Sequence, residues 1–246
     1  MSFFKEVADI VQTYWPMILR GTGITIVLSI TGTLIGAVIG LLAGVIKTIP
    51  LPPKKNHFKR FFLQLVNVLI QIYVEVFRGT PMIVQAMVIY YGTALLFDVH
   101  LNKFFAGLLI VSINTGAYMS EIVRGGIVSI DKGQFEGAHA IGMTHWQTMR
   151  CVVIPQVIRN ILPATGNEFI INIKDTSVLS VISVTELFFQ SKSIAGNNFM
   201  YFQTFFVTCA IYLVLTFSIT RLLRWFEKKL DGPKNYTIHI EEKKEA

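Results

Sequence analysis

Apolar residues arrive in runs long enough to cross a bilayer, and the stretches between them are short and polar or basic. A hydrocarbon core of about 30 Å needs roughly 20 apolar residues in helical form. The clearest run, 21–46, reaches that length, and in it Gly32, Gly36, Gly40 and Gly44 recur every fourth residue. That spacing puts four small residues on one face, where a second helix can approach backbone to backbone. Before this run, Phe3, Phe4, Val7, Ile10 and Val11 repeat at helical spacing with Lys5, Glu6 and Asp9 elsewhere. The pattern predicts a short interfacial segment over 1–16, ending at Pro16. Between 61 and 97 lie two apolar runs, each short for a span, separated by Phe77-Arg78-Gly79-Thr80-Pro81. Full-length runs follow at 104–127 and 202–225, and a further stretch at 161–190 is mixed at first and strongly apolar from 178.

Charge sets the topology. With 52% hydrophobic and only 15% charged residues and a mean hydropathy of +0.55, the chain does not read as a soluble domain. Its net charge of +7 then marks cytoplasmic loops, and no nucleic-acid partner is expected. Residues 47–60 carry Lys47, Lys54, Lys55, Lys59 and Arg60 with no acid, and the last run ends in Arg221, Arg224, Lys228 and Lys229; this loop and the C-terminal end are expected in the cytoplasm. The loop 191–200, with Lys192 as its only charge, reads as external, which makes the loop 131–163 cytoplasmic. Going from one cytoplasmic loop at 47 to another at 131 takes an even number of crossings. The stretch 61–97 must therefore cross once, as a helix broken near Gly79 and Pro81. The result is an all-α membrane protein of five transmembrane helices, N-terminus outside and C-terminus cytoplasmic. A membrane domain over 17–230 is followed by a short charged tail, 231–246, to which no function is assigned. The first run is too long for a signal-peptide core and is expected to stay as a span. Cys151 and Cys209 suit neither a disulfide framework nor a metal cluster.

Three polar stripes interrupt the apolar helices. Gln64, Asn67, Gln71, Glu75 and Arg78 fall at three- and four-residue steps; so do Asn114, Tyr118 and Glu121, with Arg124 nearby; Glu168, Asn172 and Asp175 share a face beside Lys174, and Glu186 rejoins it further on. A charge at bilayer depth costs at least about 2.5 kcal/mol on insertion scales, so such residues pair, face the bundle interior or line an aqueous path. Glu75 with Arg78 and Glu121 with Arg124 also suit simple intrahelical pairs at i, i+3. At Gly79 and Pro81 the missing N–H frees a carbonyl that protein or water must satisfy, which predicts a hinge or cavity lining; an ordinary proline kink is the other reading.

The loop 131–163 carries no nucleophile, paired-carboxylate or metal-ligand pattern, so no catalytic residue is expected. No G-x-x-x-x-G-K-[ST] segment occurs, so ATP is not bound here by that route. Residues 134–150 instead read as a short helix broken at Gly142 and followed by a second turn, suited to docking on a partner.

From Glu136 onward the pattern becomes specific. Glu136-Gly137-Ala138, Gly142, and Val152-Val153-Ile154-Pro155 resemble the EAA loop of ABC-importer permeases, E-A-A-x-x-x-G-x9-I-x-L-P. Gly137 departs from the second-position alanine and lowers helix propensity by up to about 1 kcal/mol; Val152 and Ile154 keep the hydrophobic character. Further blocks extend the resemblance over nearly the whole chain: 77–81 with Gln85, 118–126, Gly133-Gln134, Pro155-Gln156, 162–169 and 174–177. Together they resemble the polar amino acid branch, which includes glutamine, histidine, arginine and cystine importers.

The resemblance implies the type I ABC importer transmembrane fold, in a bacterial cytoplasmic (inner) membrane. It implies a second permease subunit, identical or paralogous, an ATPase dimer that binds ATP and Mg, and an extracytoplasmic substrate-binding protein. Glu136, Gly137, Ala138 and Gly142 would then form the ATPase-coupling helix. Asn114, Tyr118, Glu121, Glu168, Asn172, Lys174 and Asp175 would line the path of a polar amino acid, with Gly79 and Pro81 as a hinge. An ion-coupled secondary transporter and a membrane-embedded enzyme are the alternatives. The first predicts uptake without an ATPase and usually an internal repeat, which is not found; the second predicts activity by this chain alone.

Overall fold

The structure is a computed structural model that describes residues 2–51 and 56–230; Lys54 and Lys55 of the basic loop and the tail 231–246 lie outside the described residues. The regular elements among the described residues are all helices. The long ones are α1 (Phe3–Lys47), α2 (His57–Gly79), α3 (Met82–Phe97) and α4 (Lys103–Val128). Two short helices follow, α5 (Lys132–Ala140) and α6 (His145–Thr148), then α7 (Ile154–Asp175), α8 (Leu187–Asn198) and α9 (Tyr201–Leu230). A π-helical turn (Met149–Val153) joins α6 to α7, and a 3₁₀ stretch (Thr176–Ile182) prolongs α7.

The order in which side chains meet gives the direction of each pass. Gly32, Gly36, Gly40 and Gly44 stand against Val111, Thr115, Met119 and Val123 of α4. Both series rise together in steps of four, so α1 and α4 run parallel and α2 with α3 makes a single net crossing between them. Along α7 the pairs fall in the opposite order: Gly126 meets Ile161, Thr115 meets Asn172 and Gly107 meets Leu179. α9 reverses again, placing Thr208 on Ser191, Tyr212 on Glu186 and Leu223 on Gly166. By length and composition α1, α2, α4 and α9 each suffice to cross a membrane, and the helical run from His145 to Ile182 joins α8 across a 55° bend as a fifth span. This is a multi-pass membrane protein of five alternating spans.

The break expected at Pro16 is absent. α1 continues through it for 45 residues, about 68 Å at 1.5 Å per residue. A missing N–H ends a helix only when packing does not hold the turns on both sides. Here Ile10 and Ile18 are buried with Leu187, Ile194 and Val207, and the Gln203 amide donates to Glu6 at 2.8 Å. The expected segment 1–16 is thus structurally the first turns of α1.

The segment 131–163 is not irregular throughout, because α7 starts at Ile154 and runs through Pro163. Pro155 cannot donate to the Cys151 carbonyl, and a proline ring crowds the carbonyl four residues back. The π-helical turn at Met149–Val153 absorbs this, with the Ile154 N–H reaching Met149 instead. Glu186 does not rejoin the α7 face. The chain tightens to 3₁₀, turns at Ser183 with φ 61°, and makes the buried Glu186 the N-cap of α8. There it accepts from the Phe188 and Phe189 N–H groups at 2.8 and 2.7 Å and from Tyr212 at 3.2 Å.

Candidate functional site

α2 is strongly two-faced. At 100° per residue, Gln64, Asn67, Gln71, Glu75 and Arg78 fall within an arc of about 80°, while Phe61, Phe62, Leu65, Val68 and Ile72 cover other faces and are exposed. Gln64, Gln71, Glu75 and Arg78 are exposed too, and the Asn67 carbonyl oxygen is buried with no hydrogen-bond partner among the described residues. Gln71 donates to Glu75 at 2.8 Å. The Arg78 guanidinium lies 5.4 Å from the centre of the Tyr118 ring, a cation–π distance. Half-buried Glu168 on α7 has Asp175 and Arg78 as its charged neighbours. Arg78, Tyr118, Glu168 and Asp175 therefore gather on one side of the subunit.

Lys174 lies beside Asp175 but also reaches a cavity of about 360 Å³, lined by Ser177, Phe188, Phe205, Thr208, Cys209 and Tyr212. The other expected path residues hold the bundle together. Asn172, buried at 4% exposure, donates to Thr33 of α1 at 2.8 Å and to Thr115 of α4 at 2.9 Å. It ties three helices and presents nothing to an open surface. Asn114 donates to the Phe77 carbonyl at 3.3 Å and to Gln85 at 2.9 Å. Glu121 pairs with Lys47 at 2.6 Å and with Arg124 at 3.0 Å, at the end of α1. The paired reading of Glu121 and Arg124 holds, with Lys47 as a third member that spacing could not show. Gln85 was legible only as part of a block, because its partners lie on other helices.

The turn around Gly142 is built by three caps. Asp131 caps α5 by accepting from the Gly133 N–H at 2.7 Å. α5 closes with Met143 N–H donating to Ala138 at 3.1 Å and Gly142 N–H to His139 at 3.0 Å, the pair of bonds that defines a Schellman motif. The motif needs a left-handed residue after the helix, and Gly142 has φ +83°. Thr144 then starts α6 with a capping box, accepting from the Gln147 N–H at 3.3 Å while Gln147 accepts from the Thr144 N–H at 2.8 Å.

In this turn Glu136, Gly137 and Gly142 are exposed. Ala138 faces inward at 5% exposure and anchors α5 to the bundle, so it is not available as a docking contact. Two residues missed in the sequence stand out instead: Ile141 is 78% and Trp146 63% exposed. A large apolar residue in a polar loop was the available signal. Phe135 packs with Ile130, Met149 and Val153, and Gln156 of α7 donates to Gln134 at 3.4 Å, so the turn rests on the base of α4 and α7. Burial, and then the neighbouring charge of His139, hold the His145 imidazole below its ordinary pKa. No cluster of three metal-ligating side chains occurs among the described residues.

Comparison with known proteins fits this architecture. The family described as binding-protein-dependent transport system inner membrane component matches residues 58–232. The glutamine transport system permease protein of Escherichia coli strain K12 is 37% identical over 216 residues, covering 87% of this chain and 93% of that protein. The putative glutamine transport system permease protein of Rickettsia bellii is 34% identical over 213 residues, covering 87% and 92%. Among solved structures, an amino acid ABC transporter crystallised with histidines aligns at 36% identity with a TM-score of 0.76, covering 93% of this chain and 99% of that one. The inward-facing MetNI methionine ABC transporter aligns at 16% identity with a TM-score of 0.71, covering 89% and 98%, and shares the fold. The five alternating spans, the capped turn at their base and these matches agree: the chain belongs to the family of binding-protein-dependent transport system inner membrane components, and is a permease subunit rather than an enzyme.

Proposed function

We propose that this chain forms half of the pore of an ATP-driven importer of a polar amino acid of the glutamine class, in a bacterial cytoplasmic membrane. One observation carries this reading. Gln64, Gln71, Glu75, Arg78, Tyr118 and Asp175 are exposed on spanning helices, and lipid cannot cover charged and amide groups at that depth. A second permease subunit, a copy or a paralogue, must face them across a watery path. Along the path, Arg78 and Lys174 suit an α-carboxylate and Glu168 and Asp175 an ammonium. Asn114, Glu121 and Asn172 hold the lining helices from behind. The names of the relatives support the amino acid class.

The basic residues after α1 and at the end of α9 support an N-terminus outside and a C-terminus in the cytoplasm. That orientation puts Glu136, Gly137 and Gly142, with Ile141 and Trp146, where a separate ATPase dimer can bind them. ATP and Mg are held by that partner, and a binding protein delivers substrate from outside.

The test is uptake of labelled glutamine into proteoliposomes holding this chain, with and without its ATPase and binding protein. Uptake should require both, and Gly142→Asp should weaken ATPase association. Uptake driven by an ion gradient without the ATPase would sink the proposal.

A further inference from the structure

We propose that Gln85 is a positioning residue, which turns the break between α2 and α3 into a fixed elbow and so holds Arg78 over Tyr118. Pro81 has no N–H to give to the carbonyl four residues back, which is that of Phe77. The N–H groups of Val84 and Gln85 both go to Pro81, which leaves the Thr80 carbonyl without a helical donor as well. The Gln85 side chain supplies what both lack. Its amide nitrogen donates to the Phe77 carbonyl, the Thr80 carbonyl and Thr80 Oγ1, each at 2.9 Å. Its carbonyl oxygen accepts from Asn114 at 2.9 Å, and Asn114 also reaches Phe77 at 3.3 Å. The side chain is 7% exposed, so water does not compete for these bonds.

The elbow is thereby fastened to α4 at successive turns. Tyr73 donates to the Ile113 carbonyl at 2.6 Å, the Phe77 carbonyl accepts from Asn114, and Arg78 lies over Tyr118, one turn beyond Asn114. A hinge at Gly79 and Pro81 would have to break several of these buried bonds together. α2, α3 and α4 therefore move as one body during transport, and the flexing that opens and closes the path occurs elsewhere. The consequence for substrate rests on the reading above that Arg78 faces the transported amino acid.

The test uses the complete complex with its ATPase, with Cys151 and Cys209, both exposed, replaced by serine. Spin labels at Val88→Cys on α3 and Leu109→Cys on α4, both exposed positions, should give one narrow within-subunit distance with and without trapped nucleotide, distances between subunits being identified from complexes labelled at each site alone. Gln85→Leu should broaden it and raise the uptake KM at least about tenfold, with the maximal rate per assembled complex within about twofold. Adding Arg78→Ala to Gln85→Leu should cost nothing beyond Arg78→Ala alone, since both act through one guanidinium. A wild-type distance that shifts with nucleotide overturns the fixed elbow, and this holds even if Gln85→Leu fails to assemble. Additive effects of the two substitutions, or a fall in maximal rate at constant KM, overturn the positioning role. If instead Arg78→Ala leaves KM unchanged while the distances behave as expected, the elbow stands and the placement of Arg78 on the path falls.

Discussion

Gly40 of α1 lies so close to Met119 of α4 that a Cβ on the glycine would overlap the methionine Cβ and come within 2.8 Å of the Ser120 nitrogen. Met119 is 1% exposed and belongs to the buried cluster beside the turn at Gly142, so neither backbone can move aside cheaply. Gly40→Ala is expected to lower stability by about 1–3 kcal/mol through overpacking, despite the better helix propensity of alanine. Gly40→Leu should prevent assembly. Gly23, whose Cβ would meet nothing within 4 Å, is the control: Gly23→Ala should leave stability unchanged or raised. Thermal unfolding of the purified protein in one detergent compares the three.

Asn172 serves Thr33 and Thr115 at once. Replacing it by leucine leaves two buried hydroxyls without that partner, at about 1–3 kcal/mol for each polar group stranded. Replacing all three residues, as Asn172→Leu with Thr33→Val and Thr115→Val, should recover much of the loss. If Asn172 instead contacts substrate, the triple variant will regain stability but its KM for uptake will stay high.

At Gly142 the left-handed backbone costs a residue with a Cβ about 1–2 kcal/mol, with asparagine tolerated best. ATPase binding measured on the purified subunits should therefore fall in the order glycine, asparagine, valine. Trp146→Ala acts differently, because Trp146 is 63% exposed. It should leave the unfolding temperature of the permease unchanged and weaken ATPase association by about 2 kcal/mol or more, as for an aromatic anchor. An unfolding temperature lowered by Trp146→Ala, with binding intact, would remove it from the docking surface.

His145 is held below the ordinary histidine value by burial and by His139. The folded state then binds this proton less tightly than the unfolded chain does. Its contribution to stability is complete above the unfolded value of about 6.5 and declines as pH falls through 6.5 toward the lower folded value. Titration of labelled histidine by NMR should give a His145 midpoint below 6.5, and His139→Ala should raise it only in part, because burial, the larger cause, remains.

Much of the architecture was written in local pattern. The glycine steps gave the α1 face that meets α4, basic loops and parity gave five passes with one broken helix, and the parallel register of α1 with α4 agrees. The short helix broken at Gly142 and the second helical turn after it were legible from the glycine, while the caps at Asp131 and Thr144 appeared only in the structure. Prolines were uneven guides. Pro16 and Pro163 lie inside continuous helices because packing from neighbouring helices outweighs one lost hydrogen bond, whereas Pro81 does mark a break.

Local pattern could place a polar residue on a face, but it could not say what lay opposite. By itself the sequence determined the membrane class, the number of passes and the helical turn at Gly142, since bilayer thickness, charge asymmetry and backbone geometry act through neighbours in the chain. Only the tertiary structure decided that Asn172 and Asn114 are internal ties, that Glu121 is held by Lys47, that Glu186 is a buried cap, and that Gln85 completes the elbow. Each depends on a partner at least one turn away and usually on another helix, and hydrogen bonds of a few ångströms exist only once those helices are packed.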